Sequence, residues 1–320
     1  MSVVGKILGA LSGNAGLQLS EQLLFDKVVG FKGIVPGVGV STIVHNVAYA
    51  LNETTDYNIC VLDTNYLYPS LYPLFVKDED MERKDYLDFE SELSKVLMPT
   101  MYSNVYLASL ANRTAVDMLS SKDNEAVLDN FLNELKDYFD IILIDLSYEL
   151  TNISVFSAIR CNKIIMVGDP SVKCMHNLRK SLNSMATLAV PFAKANTVVI
   201  NKVLKNMILD IDSVFVNAGM SVIGKIPLAN EIAIHGVTGK KIWVSVTADE
   251  TINEFSECIN SILDGIVQKT PLNVDYIGKK GLKNKATNKL KDLVEEPDAI
   301  EEDDDVDTIL GNITDIEDDE

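Results

Sequence analysis

Short unbroken apolar runs alternate with segments in which apolar residues return every third or fourth position, and this alternation holds from residue 27 to residue 266. Unbroken runs suit strands buried on both faces; the longer period suits helices that cover them. The pattern predicts a strand over residues 27–35, a turn at 36–39, and a helix over 41–51 with Val44, Val47, Ala48 and Leu51 on one face. Further strands are expected over 59–63, 105–110, 141–145, 164–167, 197–201 and 222–226. A helical stripe of Val127, Leu128, Phe131, Leu132, Leu135 and Phe139 feeds straight into the 141–145 run, and Ile252, Phe255, Ile259, Ile262 and Ile266 mark a last helix over 248–266. Strand and helix in alternation predict an α/β fold, a doubly wound, mostly parallel sheet with helices on both faces. About seven strands with their helices fill one domain of roughly 240 residues. The chain then divides into an N-terminal extension (1–26), this domain (27–266), a linker (267–294) and a tail (295–320).

Charge sharpens that division. The net charge is −19, and the tail holds 14 acids and no base, which leaves −5 for residues 1–294. Residues 269–291 carry seven lysines against Asp275, so the first 268 residues stand at −10. An acidic body disfavours nonspecific coating of DNA, and the basic linker is the one place where DNA could be held, a reading we do not favour. The tail has too little apolar surface to fold alone and is expected to be disordered. Its Ile309, Leu310, Ile313 and Ile316 nevertheless share a small helical face that a partner protein could take up.

Cys60, Cys161, Cys174 and Cys258 lie far apart, which fits reduced core thiols better than a zinc cluster or a disulfide framework. No stretch reaches the roughly 18–20 apolar residues of a membrane span. The apolar start, residues 2–11, is broken by Gly5 and Gly9 and leads to no small-residue cleavage site, so a cytoplasmic chain is expected. His45, His176 and His235 are isolated and read as ordinary core or surface histidines.

The strongest chemical signal is Ile34-Val35-Pro36-Gly37-Val38-Gly39-Val40-Ser41-Thr42, a strand end, a glycine turn and a helix start. Such a junction points backbone N–H groups and the positive end of a helix at a phosphate. It departs from the G-x-x-x-x-G-K-[ST] loop, with Val40 at the lysine position and Ile34 at the first glycine.

From this loop onward the chain resembles the ParA/MinD family of deviant Walker A ATPases, a P-loop NTPase-like fold. The resemblance rests on that loop, on Asn46-Val47-Ala48-Tyr49-Ala50-Leu51, and on Val61-Leu62-Asp63-Thr64-Asn65 with Pro69-Ser70-Leu71. Asp145 at the end of its apolar run, Asn201-Lys202-Val203 and Ile223-Gly224-Lys225-Ile226-Pro227 complete it. The resemblance implies ATP or ADP with magnesium as the ligand. It assigns Gly37, Val38, Gly39, Val40, Ser41 and Thr42 to the phosphates, Asn201 and Pro227 to adenine, Ser41 and Asp145 to magnesium, and Asp63 to the attacking water. It also implies a homodimer.

Three departures bear on activity. The family's two phosphate-contacting lysines correspond to Val35 and Val40, Asn65 replaces the second acid of the turn, and Leu146-Ser147-Tyr148 follows Asp145 where a glycine-bearing switch is usual. Lysines that offset charge on the transferring phosphoryl group supply much of such catalysis. The expectation is therefore a catalytically degenerate member, similar to the TadZ/CpaE group in this respect, with Asp63 a vestigial catalytic residue. It would act as a spatial organiser or assembly scaffold that binds ATP without efficient hydrolysis. The alternatives are a slow ParA-type ATPase in DNA partition, with Lys32 or Lys202 as a substitute lysine, and a membrane-associated MinD-like regulator. Tyr66, Tyr68 and Tyr72 are expected to pack a dimer or partner surface.

Overall fold

A computed structural model describes residues 28–65, 69–76, 93–109, 124–207 and 210–266. The N-terminal extension, the linker, the tail, Tyr66 and Tyr68 lie outside these residues.

Eight strands form one sheet: β1 (Val28–Gly33), β2 (Ile59–Asp63), β3 (Met98–Pro99), β4 (Val105–Ala108), β5 (Ile141–Leu146), β6 (Lys163–Gly168), β7 (Thr197–Val203) and β8 (Ser221–Pro227). Their order across the sheet is β3-β4-β2-β5-β1-β6-β7-β8, and all neighbours are parallel except the β3/β4 pair. The eighth strand is β3, two residues long with Pro99 at the margin, too short to leave a period in the sequence. β1, β2 and β5 are buried along their whole length, which is why Ile59–Asp63 and Ile141–Leu146 read as unbroken apolar runs ending near an acid.

The helices are α1 (Val40–Thr54), α2 (Tyr72–Phe75), α3 (Asn124–Tyr138), α4 (Asn152–Arg160), α5 (Val172–Thr187), α6 (Ile211–Asn217), α7 (Asn230–Thr238) and α8 (Glu250–Ile266). Side-chain caps fix several starts, since Thr151 accepts from Ser154 N–H, Ser171 from Cys174 N–H and Asp210 from Ser213 N–H. α8 buries Phe255, Ile259, Ile262 and Ile266, the face its period predicted. No helix among the described residues is long and apolar enough to cross a membrane.

β1 is the pivot. From it the chain runs to β2 on one side, while β6, β7 and β8 build outward on the other. Crevices at the carboxyl ends of strands form where a sheet reverses in this way. The loop after β1 sits there.

Candidate functional site

Gly37 and Gly39 both adopt the left-handed backbone region, at φ 78° and 93°. A Cβ on Gly39 would lie 2.5 Å from the Asn201 amide nitrogen, so glycine is required there by both backbone and space. Asn201 Nδ2 donates to Val38 O at 2.7 Å and its Oδ1 accepts from Lys202 N–H at 2.8 Å. The Lys202 ammonium donates to Gly37 O at 2.6 Å. The end of β7 therefore braces the loop from outside, through its carbonyls. The backbone N–H groups of Gly37 to Thr42 donate to no other described protein group, and the first N–H bonded in the helix is that of Ile43, to Gly39 O.

Beside the first turn of α1 stand two carboxylates. Asp63 and Asp145 are register partners on β2 and β5, and both are buried. Ser41 donates to Asp145 Oδ2 at 2.6 Å, and its hydroxyl lies 2.7 Å from that of Ser70. Asp63 accepts from Asn65 N–H and Nδ2 on one oxygen, and from Ser70 and Leu71 N–H on the other. Burial, then the nearby Asp63 charge, push the Asp145 carboxyl up to about 7, against Ser41, Asn65 and Lys32, which lower it. Asp63 is raised by burial too, despite its four donors. Thr64 ties the strand ends together, donating to Asp145 O at 2.8 Å and accepting from Ser147 N–H at 2.8 Å.

The sites of the two expected lysines are apolar. Val35 is 3 % exposed and packs in the core with Ile34 and Val38, and Val40 is partly buried against it. Lys32, named in the sequence as a substitute, is buried at the end of β1 and donates to Ser147 O at 2.6 Å and Tyr148 O at 3.3 Å. Burial brings its ammonium down to about 8, opposed by Glu149 and Asp145. Lys202, the other, reaches the loop.

The structure brings Gly37 to Thr42, Asp63, Asp145 and Asn201 into one constellation, and Pro227 ends β8 beside Val203 of β7. Sequence reasoning missed the part played by Ser70 and Thr64. The Pro-Ser-Leu marker was the signal for the first; the second had none. Asn46 has a structural task, its Oδ1 accepting from Ile242 and Trp243 N–H at 2.7 and 2.9 Å. His45 is a core residue, its Nε2 2.7 Å from the Tyr102 hydroxyl, and burial lowers it to about 4. Tyr72 is buried.

A cavity of about 1260 Å³ lies at the far end of α1 between Tyr49, Tyr72, Met101 and Lys241, and no phosphate-loop residue lines it. A smaller one of about 330 Å³ adjoins the loop and is bounded by Lys32, Ile34, Tyr148, Leu150 and Lys180.

Fit to magnesium nucleotide is half complete. Free N–H groups at the start of a 15-residue helix suit phosphate, and the Ser41 hydroxyl with the Asp145 carboxylate is an oxygen set suited to magnesium. No lysine stands at positions 35 and 40.

Residues 27–263 match a family model described as ParA, NUBPL iron-transfer P-loop NTPase. Comparison with curated proteins gave no significant match. Among solved structures, the MinC:MinD cell division protein complex of Aquifex aeolicus is similar at 14% identity and TM-score 0.61, over 78% of this chain and 98% of that one. MinD of Pyrococcus horikoshii complexed with Mg-ADP is similar at 16% identity and TM-score 0.60, over 76% and 99%. A plasmid partition protein of Borrelia burgdorferi bound to AMPPNP is similar at 16% identity and TM-score 0.57, over 75% and 99%.

Proposed function

The chain belongs to the ParA/NUBPL family of P-loop NTPases, and we propose that it is a catalytically degenerate member of it. In this reading it binds adenine nucleotide with magnesium, turns it over poorly or not at all, and serves as a spatial organiser or assembly scaffold in the cytoplasm. The observation that carries the reading is the split within one site: Ser41, Asp63 and Asp145 are knit together, while valine stands at both lysine positions and Val35 is buried.

In the bound form, the N–H groups of Gly37 to Thr42 hold the phosphates, Ser41 and Asp145 hold magnesium, and Asn201 and Pro227 flank adenine. Magnesium would supply charge neutralisation at the phosphate oxygens. Without lysines, charge developing in the transition state is compensated by magnesium and backbone N–H groups alone, so binding survives better than rate. That solved relatives hold Mg-ADP and AMPPNP supports the nucleotide, and the MinC:MinD complex supports a partner-binding role. A homodimer and a partner on the acidic tail belong to the same proposal, with residues 1–26 and 267–320 as appendages to the domain.

Iron transfer, named in the family description, gains no support. All four cysteines are buried, burial raises their thiols, and no group of three metal-ligating side chains occurs among the described residues. A slow ATPase is the second reading, favoured by the Lys202 ammonium on the loop at Gly37 O.

Binding of labelled ATP and ADP, with hydrolysis followed in the same samples, tests the proposal. Binding without measurable turnover is expected. Turnover abolished by Asp63→Ala would replace it with the ATPase reading, and binding of neither nucleotide would reduce it to a nucleotide-free scaffold.

A further inference from the structure

α5 differs from the rest of the acidic body. It carries Lys173, Arg179 and Lys180 and no acid over its 16 residues. Lys173, Asn177, Lys180 and Ser184 fall on one stripe at helical spacing, and the last three line the 330 Å³ cavity. Across that groove the loop after β5 exposes Tyr148 and Leu150, at 42% and 49%, and Val172 at the start of α5 is 79% exposed. The groove thus has one apolar side, Tyr148 and Leu150, and one polar side along α5 that carries Lys180. Its own acid, Glu149, is held by the Ser147 hydroxyl at 2.7 Å and lies near Lys32.

We propose that this groove is the docking site of the chain's own acidic tail, with Ile309, Leu310, Ile313 and Ile316 seated against Tyr148 and Leu150, and the flanking aspartates and glutamates on Lys180 and, further along the same stripe of α5, Lys173. Three observations carry this. Charge is complementary, since a segment with 14 acids and no base meets a helix that carries three bases and no acid on an otherwise acidic body. The tail's apolar residues have helical spacing and match the apolar wall that Tyr148 and Leu150 give the groove. Reach is sufficient: Lys163 at the start of β6 donates to Gly265 O at 3.2 Å, so the connector starts at the amino-terminal end of the parallel strands, the end to which α5 returns before β7. A coil of 28 residues spans about 30 Å, against about 24 Å for the length of α5. Tethering also places the tail at an effective concentration of about millimolar, which makes weak contacts count. A docked tail covers the loop that follows Asp145, and a partner that takes the tail uncovers it.

The test uses the full chain. A spin label on Gly311→Cys, or on Asn312→Cys as a second placement, goes on selectively because the four native cysteines are buried. Loss of amide signal confined to α5 and residues 148–150 is expected. It should return at about 0.5 M salt, where screening shortens to about 4 Å. It should also return in Lys173→Glu/Lys180→Glu, and in Ile309→Ser/Ile313→Ser, which leaves the folded domain untouched. Undisturbed α5 signals, or loss centred on another surface, would overturn the proposal. Loss seen only when spin-labelled and isotope-labelled copies are mixed would overturn docking within one chain.

Discussion

The two sides of the phosphate loop have gone opposite ways. On the side of β2 and β5, the polar groups are engaged by the protein itself: Asp63 gathers four N–H donors, Asp145 takes the Ser41 hydroxyl, and Thr64 links the two strand ends. On the side of β1, Ile34, Val35 and Val38 fill the core instead of presenting charge. The difference separates two kinds of site residue. The acids organise the protein's own backbone and hold their place without a ligand. A lysine in a phosphate loop has no such second task, and valine in its place gains apolar burial, worth about 1.5–3 kcal/mol for a fully buried side chain.

The sharpest way to break this comparison is Asp63→Ala. It would leave the buried N–H of Leu71, the half-buried N–H of Ser70 and the Asn65 side chain without their acceptor. An unmade bond to a buried group costs about 1–3 kcal/mol. Stability in urea should therefore fall by roughly 3–5 kcal/mol in the absence of any nucleotide. A fall below about 1 kcal/mol would show that the acid is kept for a ligand and not for the fold.

Asp145→Asn probes the same side in the opposite sense. The native carboxyl titrates at about 7, above its unfolded value, so between roughly pH 4 and 7 the native state keeps a proton that the unfolded chain has lost. Its contribution is whole in acid and drains away as pH rises through 7. The asparagine variant escapes that drain, so its advantage over the native chain should widen with pH, by roughly 2–4 kcal/mol across this window. His45, lowered to about 4, gives stability that rises with pH over part of the same range, but it does so equally in both proteins and cancels in the difference. A difference flat with pH would mean that Asp145 is not raised.

The strands of the fold were legible because a strand buried on both faces leaves a continuous apolar run, as at Ile141–Leu146. β3 was not, because two residues have no period. The glycines of the loop and the paired acids could be named from motif spacing. Which of two spare lysines reaches the loop could not, since that depends on how β7 ends. Lys202 has φ 58°, an uncommon backbone that accompanies its contact with Gly37 O, and no sequence pattern marks it. Lys32 is only seven residues before Gly39 in sequence, yet its ammonium is taken up by Ser147 and Tyr148 carbonyls.

Restoring a charge tests the apolar side directly. Val40 is partly buried at the first position of α1, where a lysine stem can run along the core and its head meet phosphate. Val40→Lys should tighten Mg-ADP by about 10-fold or more, in keeping with about 1.5–3 kcal/mol for a hydrogen bond to a charged group. Calorimetry on both proteins measures it. Unchanged affinity would place the defect elsewhere in the loop, with Pro36 and its missing N–H the first suspect.

The smallest effect is expected from Lys202→Met, and it asks whether the apolar side has lost its cation or moved it. The ammonium is at the surface and bonds a carbonyl, so stability should change by no more than about 0.5 kcal/mol. With its charge spent on Gly37 O, the side chain offers little to a phosphate, and Mg-ADP affinity should fall by less than about threefold. A fall of about 10-fold, worth 1.4 kcal/mol, with stability unchanged, would mean that this lysine turns from the carbonyl to the phosphate when nucleotide binds. The charge would then be relocated from the β1 side of the loop to the end of β7, and the valines at 35 and 40 would no longer be evidence against turnover.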